Sequence, residues 1–172
     1  MLSAEDFAME YGYFEHFAER WTLAPLALTD WDDETDGSPL TRDPIPVNSP
    51  SRAALASVLA GYFHQETEYD FRPYEAGDER HAGRDVFLIP SRQIRVMFPV
   101  ITGAVEVRTL GEVSVVAWAW LHPVERAKTP TAWTDTFEWL STHYPRLGLE
   151  GPLSPPMLAW SRDRNISVYI RE

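Results

Sequence analysis

The sequence predicts an α+β fold with a mostly antiparallel central sheet packed by two to three amphipathic helices. Apolar residues recur at helical spacing near the beginning of the chain and again around residue 137. Between them, residues 85–121 are rich in β-branched and aromatic residues, which favour strands. The 172 residues, 44% of them hydrophobic, suit one domain with a sizeable core, and we expect a single domain over residues 1–172.

The first expected element is a helix that begins at Ala4 with Ser3 as its N-cap. Its apolar stripe contains Phe7, Tyr11, Phe14, Ala18 and Trp21. Pro25 ends this helix, and LALTDW (26–31) predicts a short strand.

Residues 38–85 are expected to form an insertion of long loops that carries one helix. Four prolines in DGSPLTRDPIPVNSP indicate a loop. Ser49 and Pro50 form an N-cap and N1 pair that opens the helix, and the polar residues 66–84 predict an exposed loop.

Four strand-like stretches follow: DVFLIP, QIRVMFPVI, AVEVRTL and EVSVVAWAWL. Strict alternation divides the last of them into two apolar faces. One face would carry Val113, Val115, Ala117, Ala119 and Leu121, and the other Val116, Trp118 and Trp120. We therefore expect a central strand that is covered on both sides, by helices or by a neighbouring subunit.

The last third of the chain predicts one helix and one hairpin. Thr129 and Pro130 repeat the cap-and-proline signal. The apolar stripe of this helix contains Trp133, Phe137, Leu140 and Tyr144. After the loop GPLSPP, residues 157–172 alternate as in a hairpin with its turn at residues 163–165.

Composition excludes several classes of function. The net charge is −11, with 26 acidic and 15 basic residues and only one lysine, which argues against a surface that grips nucleic acid. There are no cysteines, so disulfides, cysteine zinc sites and thiol nucleophiles are excluded. The sequence lacks P-loop, GxGxxG, GxSxG and HExxH motifs, and it has neither a signal peptide nor an apolar run long enough to span a membrane. We expect a cytoplasmic protein that is not an enzyme, with no cofactor and no metal.

The acidic stretch LTDWDDETDG (28–37) offers two interpretations. Its acids match the calcium-loop positions 1, 3 and 5, but Asp43 at position 12 is too short and Pro39 breaks the pattern. We favour a solvated acidic loop that contributes Asp32, Asp33, Glu34 and Asp36 to an interface.

Histidines and tryptophans raise similar alternatives. His64 with Glu66 and Glu68, or His81 with Asp78 and Glu79, could approach a metal, although surface histidines are the simpler expectation. Trp118 and Trp120 could form a sugar platform, although core or subunit-interface packing is commoner for alternating strand residues. Arg108, Arg162 and Arg164 are expected partners of inter-subunit salt bridges.

The order of elements resembles the phage tail terminator proteins. The resemblance lies in FAERWTLAPLALTDWDDE, in VRTLGEVSVVAWAWLHPVERAKTPTAWTDTFEWLSTHY and in SPPMLAWSRDRNISVYIRE. It implies a structural virion protein of the tail and neck, assembled in the host cytoplasm as a hexameric ring. Such a ring would cap the tail tube, join it to the neck connector and let double-stranded DNA pass without specific binding.

The acidic charge also supports an alternative function. An acidic immunity or anti-defence protein would dock on a basic toxin or nuclease and inhibit it. The chain would then act as a monomer or dimer, and its binding would depend on the acids at 32–36.

Overall fold

A computed structural model describes residues 26–27, 42–67, 70, 72–92 and 100–170, with only the backbone at 26, 27 and 124. The predicted first helix and the acidic stretch at 28–37 lie outside the described residues. The α+β class is confirmed. The helices are α1 (Pro50–Thr67), α2 (Pro123–Lys128), α3 (Ala132–His143) and α4 (Pro155–Asp163), with a short 3-10 helix at Glu79–His81. The strands are β1 (Leu26–Ala27), β2 (Ile45–Pro46), β3 (Asp85–Pro90), β4 (Val100–Leu110), β5 (Val113–Leu121), β6 (Leu147–Gly151) and β7 (Val168–Ile170).

The described strands form one mixed sheet, in the order β2-β3-β4-β5-β6-β7, with β1 paired to β4. The β1–β4, β2–β3, β3–β4 and β4–β5 pairs are antiparallel, as predicted, whereas β5–β6 and β6–β7 are parallel. The parallel pairs arise because helices separate these strands in the chain: α2 and α3 between β5 and β6, and α4 between β6 and β7.

The predicted C-terminal hairpin is wrong, because residues 155–163 form α4. Ser154 is the N-cap of this helix and Pro155 occupies its first turn. Trp160 then packs edge-on against Phe137 of α3, with ring centroids 5.3 Å apart. This contact holds the segment as a helix on the sheet, and the chain returns as β7 beside β6.

A β-bulge changes which residues of β5 share a face. Glu106 pairs with Trp118 but the next residue of β4, Val107, pairs with Val116, so that Ala117 is the extra residue. Beyond the bulge Val116 packs on the α3 side of the sheet and Ala117 on the α1 side, the reverse of the strict alternation. The expected cover on both faces is confirmed, and it comes from helices of the same chain.

Two hydrophobic clusters fill the space on either side of the sheet. The α1 side includes Leu59, Ala60, Leu88, Trp118 and Trp120. The side of α3 and α4 includes Ile89, Val105, Phe137, Leu140 and Leu149. Helix α1 covers part of one face, and a cleft remains beside it.

Gly103 lets β4 run as one strand through the stretch that the sequence divides between two. A Cβ atom built on Gly103 would lie 2.5 Å from the backbone oxygen of Trp120 and 2.8 Å from Leu121 Cδ2. By contrast, a Cβ on Gly61, inside α1, would meet Arg72 Nη2 at 3.4 Å, which is ordinary contact. Close pairing of β4 with β5 therefore requires glycine at position 103, whereas the surroundings of position 61 have room for a larger residue.

We predict opposite effects for alanine at these two positions. Gly103→Ala should lower the free energy of unfolding by about 1–3 kcal/mol, because the backbone of β5 must move away. Gly61→Ala should raise it by up to about 1 kcal/mol, because alanine is the better helix former. Urea unfolding followed by tryptophan fluorescence measures both effects. An unchanged free energy of unfolding in Gly103→Ala would contradict the tight β4–β5 pairing.

Candidate functional site

A cleft of about 560 Å³ opens on the α1 side of the sheet. Phe63 of α1 forms one wall, residues 72–84 form a second, and β4, β5 and β6 supply the floor. The groups that line it are unusually polar for the face of a sheet: four arginines, three glutamates and a histidine. They are Arg72, Arg80, Arg84, Arg108, Glu75, Glu106, Glu150 and His81.

Glu106 lies at the floor of the cleft and is fully buried. Its Oε1 accepts a hydrogen bond from Arg84 Nη1 at 2.8 Å, and its Oε2 accepts one from Trp118 Nε1 at 3.0 Å. A buried carboxylate is tolerated only when such partners replace water. Glu106 therefore ties β4, β5 and the loop that ends at Arg84 to one another.

His81 stands above this carboxylate on the 3-10 helix. Its side chain is only 10% exposed, and its Nδ1 lies 3.9 Å from Glu106 Oε2, too far for a hydrogen bond. That nitrogen has no hydrogen-bond partner among the residues that the structure describes. Burial, followed by the nearby Arg84 guanidinium, lowers the pKa of His81, so the ring is neutral at pH 7.

The remaining cations of the cleft differ in how they are held. Arg108 Nη2 donates to Glu150 Oε1, while the buried Arg108 Nε has no hydrogen-bond partner in the described part of the chain. Arg80 donates to Asp78, and hydrogen bonds from Arg80 lower the pKa of Asp78 to about 2. Arg72 is exposed at the rim, and its guanidinium rests against α1 at Gly61.

The structure places the expected interface residues in several different locations. Trp118 and Trp120 are buried in the core of the chain, and Trp120 Nε1 donates to Glu66 Oε2 at 2.6 Å. Arg108 lies in the cleft, paired with Glu150 of the same chain. Arg162 is exposed on α4, and the Arg164 guanidinium lies 5.0 Å from the centre of the Trp160 ring. The positions Asp32, Asp33, Glu34 and Asp36 lie outside the described residues.

Sequence reasoning missed Glu106 and Arg84. The available signal was the position of Glu106 between Val105 and Val107, since one acid in an apolar central strand needs a buried partner. Arg84 belongs to residues 66–84, which the sequence predicts to be an exposed loop. In the structure, the buried Pro73 and Tyr74 hold part of this segment against the fold.

Neither a metal site nor a membrane-spanning helix is found in the part of the chain that the structure describes. No three His, Cys, Asp or Glu side chains there are arranged to hold a metal ion, and this includes His81, Asp78 and Glu79. Glu68, which was considered beside His64 and Glu66, lies outside the described residues. No helix there is long and apolar enough to cross a membrane. No protein-family model and no curated protein matches this chain.

His122 follows β5 and is buried outside the cleft, with its ring edge-on to Trp120. Burial, followed by the nearby Arg126 guanidinium, lowers the pKa of His122 from 6.5 to about 4. The unfolded chain therefore takes up a proton below pH 6.5 that the folded chain does not take up until about pH 4. Stability must fall as the pH decreases through this window.

We predict that the contribution of His122 makes the free energy of unfolding about 2 kcal/mol lower at pH 5 than at pH 7. This value follows from about 1.4 kcal/mol per pKa unit. Urea titrations of the native chain and of His122→Gln at both pH values measure the contribution. The variant should lose correspondingly less stability on acidification, whatever its stability at pH 7. Equal losses in the two proteins would show that His122 is not buried in its neutral form.

Proposed function

We propose that this chain is a binding protein of the immunity or anti-defence type, which docks on a basic toxin or nuclease and inhibits it. One observation carries the proposal: the acidic charge is concentrated in one segment. Ten of the 26 acidic residues but only one of the 15 basic residues fall in residues 1–41, a net charge of −9. Residues 42–172, with 16 acidic and 14 basic residues, have a net charge of only −2.

This distribution favours recognition over general solubility. Acids that only kept the protein soluble could lie anywhere on the surface, whereas a concentrated block creates a local field that attracts a basic partner. The stretch with Asp32, Asp33, Glu34 and Asp36 has the highest density of acids within this block. We assign it the central part of the docking surface.

The packing of the sheet supports a chain that acts alone. Both apolar faces of β5 are covered by α1, α3 and α4 of the same chain. Arg108, an expected link between subunits, is paired with Glu150 inside the chain. A neighbouring subunit is therefore not needed to complete the core, which favours the inhibitor over a ring subunit.

The test requires a basic toxin or nuclease as the partner, and the product of the neighbouring gene is tried first. Changing Asp32, Asp33 and Asp36 to Asn and Glu34 to Gln should weaken its binding about tenfold or more in calorimetry at low salt. Added salt should weaken binding of the native chain more than binding of this variant, because exposed charges are screened.

The matched control removes four exposed acids from the folded body. Changing Glu79, Glu112 and Glu138 to Gln and Asp163 to Asn alters the net charge equally, and it should leave affinity nearly unchanged. If both sets of substitutions weaken binding equally, the affinity depends on overall charge and not on the acids at 32–36. The proposal fails if the neighbouring gene encodes a tail-tube protein and mixing the two yields a ring.

The ring subunit of a phage tail terminator remains the second candidate because of one feature. Ile170 of the edge strand β7 is 78% exposed, and the outer side of an edge strand can pair with another chain. A closed ring would add such pairs between copies. Light scattering after size-exclusion chromatography, with and without the tail-tube protein, distinguishes the ring from a monomeric inhibitor.

A further inference from the structure

We propose that the cleft between residues 72–84 and strands β4–β6 binds a small organic anion through its carboxylate or phosphate group. The residues of this site lie outside the acidic segment of the sequence, and the proposal does not depend on the inhibitor function. It rests on buried polar atoms that lack partners, on the pairing of the floor glutamates with arginines and on the size of the cleft.

Two buried polar atoms at the cleft lack a hydrogen bond within the described part of the chain. They are His81 Nδ1, on a side chain that is nine-tenths buried, and Arg108 Nε. Folded proteins rarely leave buried donors and acceptors without partners, and such atoms call for a bound water, ion or ligand. Arg108 Nε can only donate, so the group that completes it must be an acceptor.

The two carboxylates on the floor of the cleft do not leave an unpaired negative charge there. Glu106 and Glu150 are each paired with an arginine of the cleft, Arg84 and Arg108 respectively. Their negative charges are therefore compensated within the site. Glu75 stands exposed at the rim, where it acts electrostatically on Arg80.

Arg72 supplies the cation that the ligand would meet first. It forms no ion pair with any residue that the structure describes, although its guanidinium is positioned against Gly61 of α1. Guanidinium groups bind carboxylates and phosphates through two parallel hydrogen bonds. Arg72 and Arg108 line the same cleft, so we expect a bound anion to contact both guanidinium groups.

The size and walls of the cleft favour an organic molecule over a bare inorganic ion. Its volume of about 560 Å³ lies within the usual range for small-molecule sites. Phe63 and Trp118 line it beside the charged groups. Such a site would hold the apolar part of a ligand next to its charged group.

Nuclear magnetic resonance provides a local test. Citrate and phenyl phosphate, as carboxylate and phosphate probes, are titrated separately into ¹⁵N-labelled protein at constant ionic strength. The Trp118 indole N–H, which donates to Glu106 at the cleft floor, and the Arg108 Nε–H should shift in a saturable way with at least one probe. A response to citrate alone or to phenyl phosphate alone assigns the preferred group.

Two arginine variants decide whether the response comes from this site. Arg72→Gln at the exposed rim should weaken binding at least fivefold without unfolding the protein, whereas Arg162→Gln on α4 should bind as the native chain does. Saturation with neither probe, equal affinity in Arg72→Gln, or shifts that are as large at the Trp160 indole would each overturn the proposal. None of these results bears on the acids at 32–36, so the inhibitor proposal is tested separately.

Discussion

A single buried carboxylate, Glu106, joins three parts of the fold that are distant in sequence. It belongs to β4, it accepts the indole N–H of Trp118 on β5, and it pairs with Arg84 at the end of the loop that precedes β3. The same loop carries His81, and Tyr74 packs against the His81 ring. A buried polar network is stable only when its members are satisfied, so loss of this carboxylate would disturb the loop and the cleft together.

In the described part of the chain, helices cover both faces of the sheet around this connection. α1 covers one face of the sheet, and α3 and α4 cover the other, but α1 leaves the polar region of β4–β6 open as the cleft. The body that results is nearly neutral, and the acidity of the chain resides in residues 1–41. The two proposals therefore concern different residues: docking of a basic protein on the acidic segment, and binding of an organic anion in the cleft.

The parts of this fold that the sequence predicted are those with strong local signals. Ser49-Pro50 identified the beginning of α1, and the stripe through Phe137 and Leu140 identified α3. The sequence did not predict β6, because a glycine such as Gly148 is typical of the end of a helix. In the fold, position 148 has no room for a side chain beside Tyr169. It also missed the partnership of Glu106 and Arg84, which are 22 residues apart, because local periodicity carries no information on such contacts.

The central claim, that Glu106 and Arg84 hold the site together, is tested most directly by a double-mutant cycle with Glu106→Gln and Arg84→Gln. The account predicts a coupling free energy of about 1–3 kcal/mol in urea unfolding, since this pair shares one buried network. The exposed pair of Glu112 and Arg146, at 3.1 Å, provides a control cycle whose coupling should be near zero. A Glu106–Arg84 coupling no larger than that of the exposed pair would contradict the account.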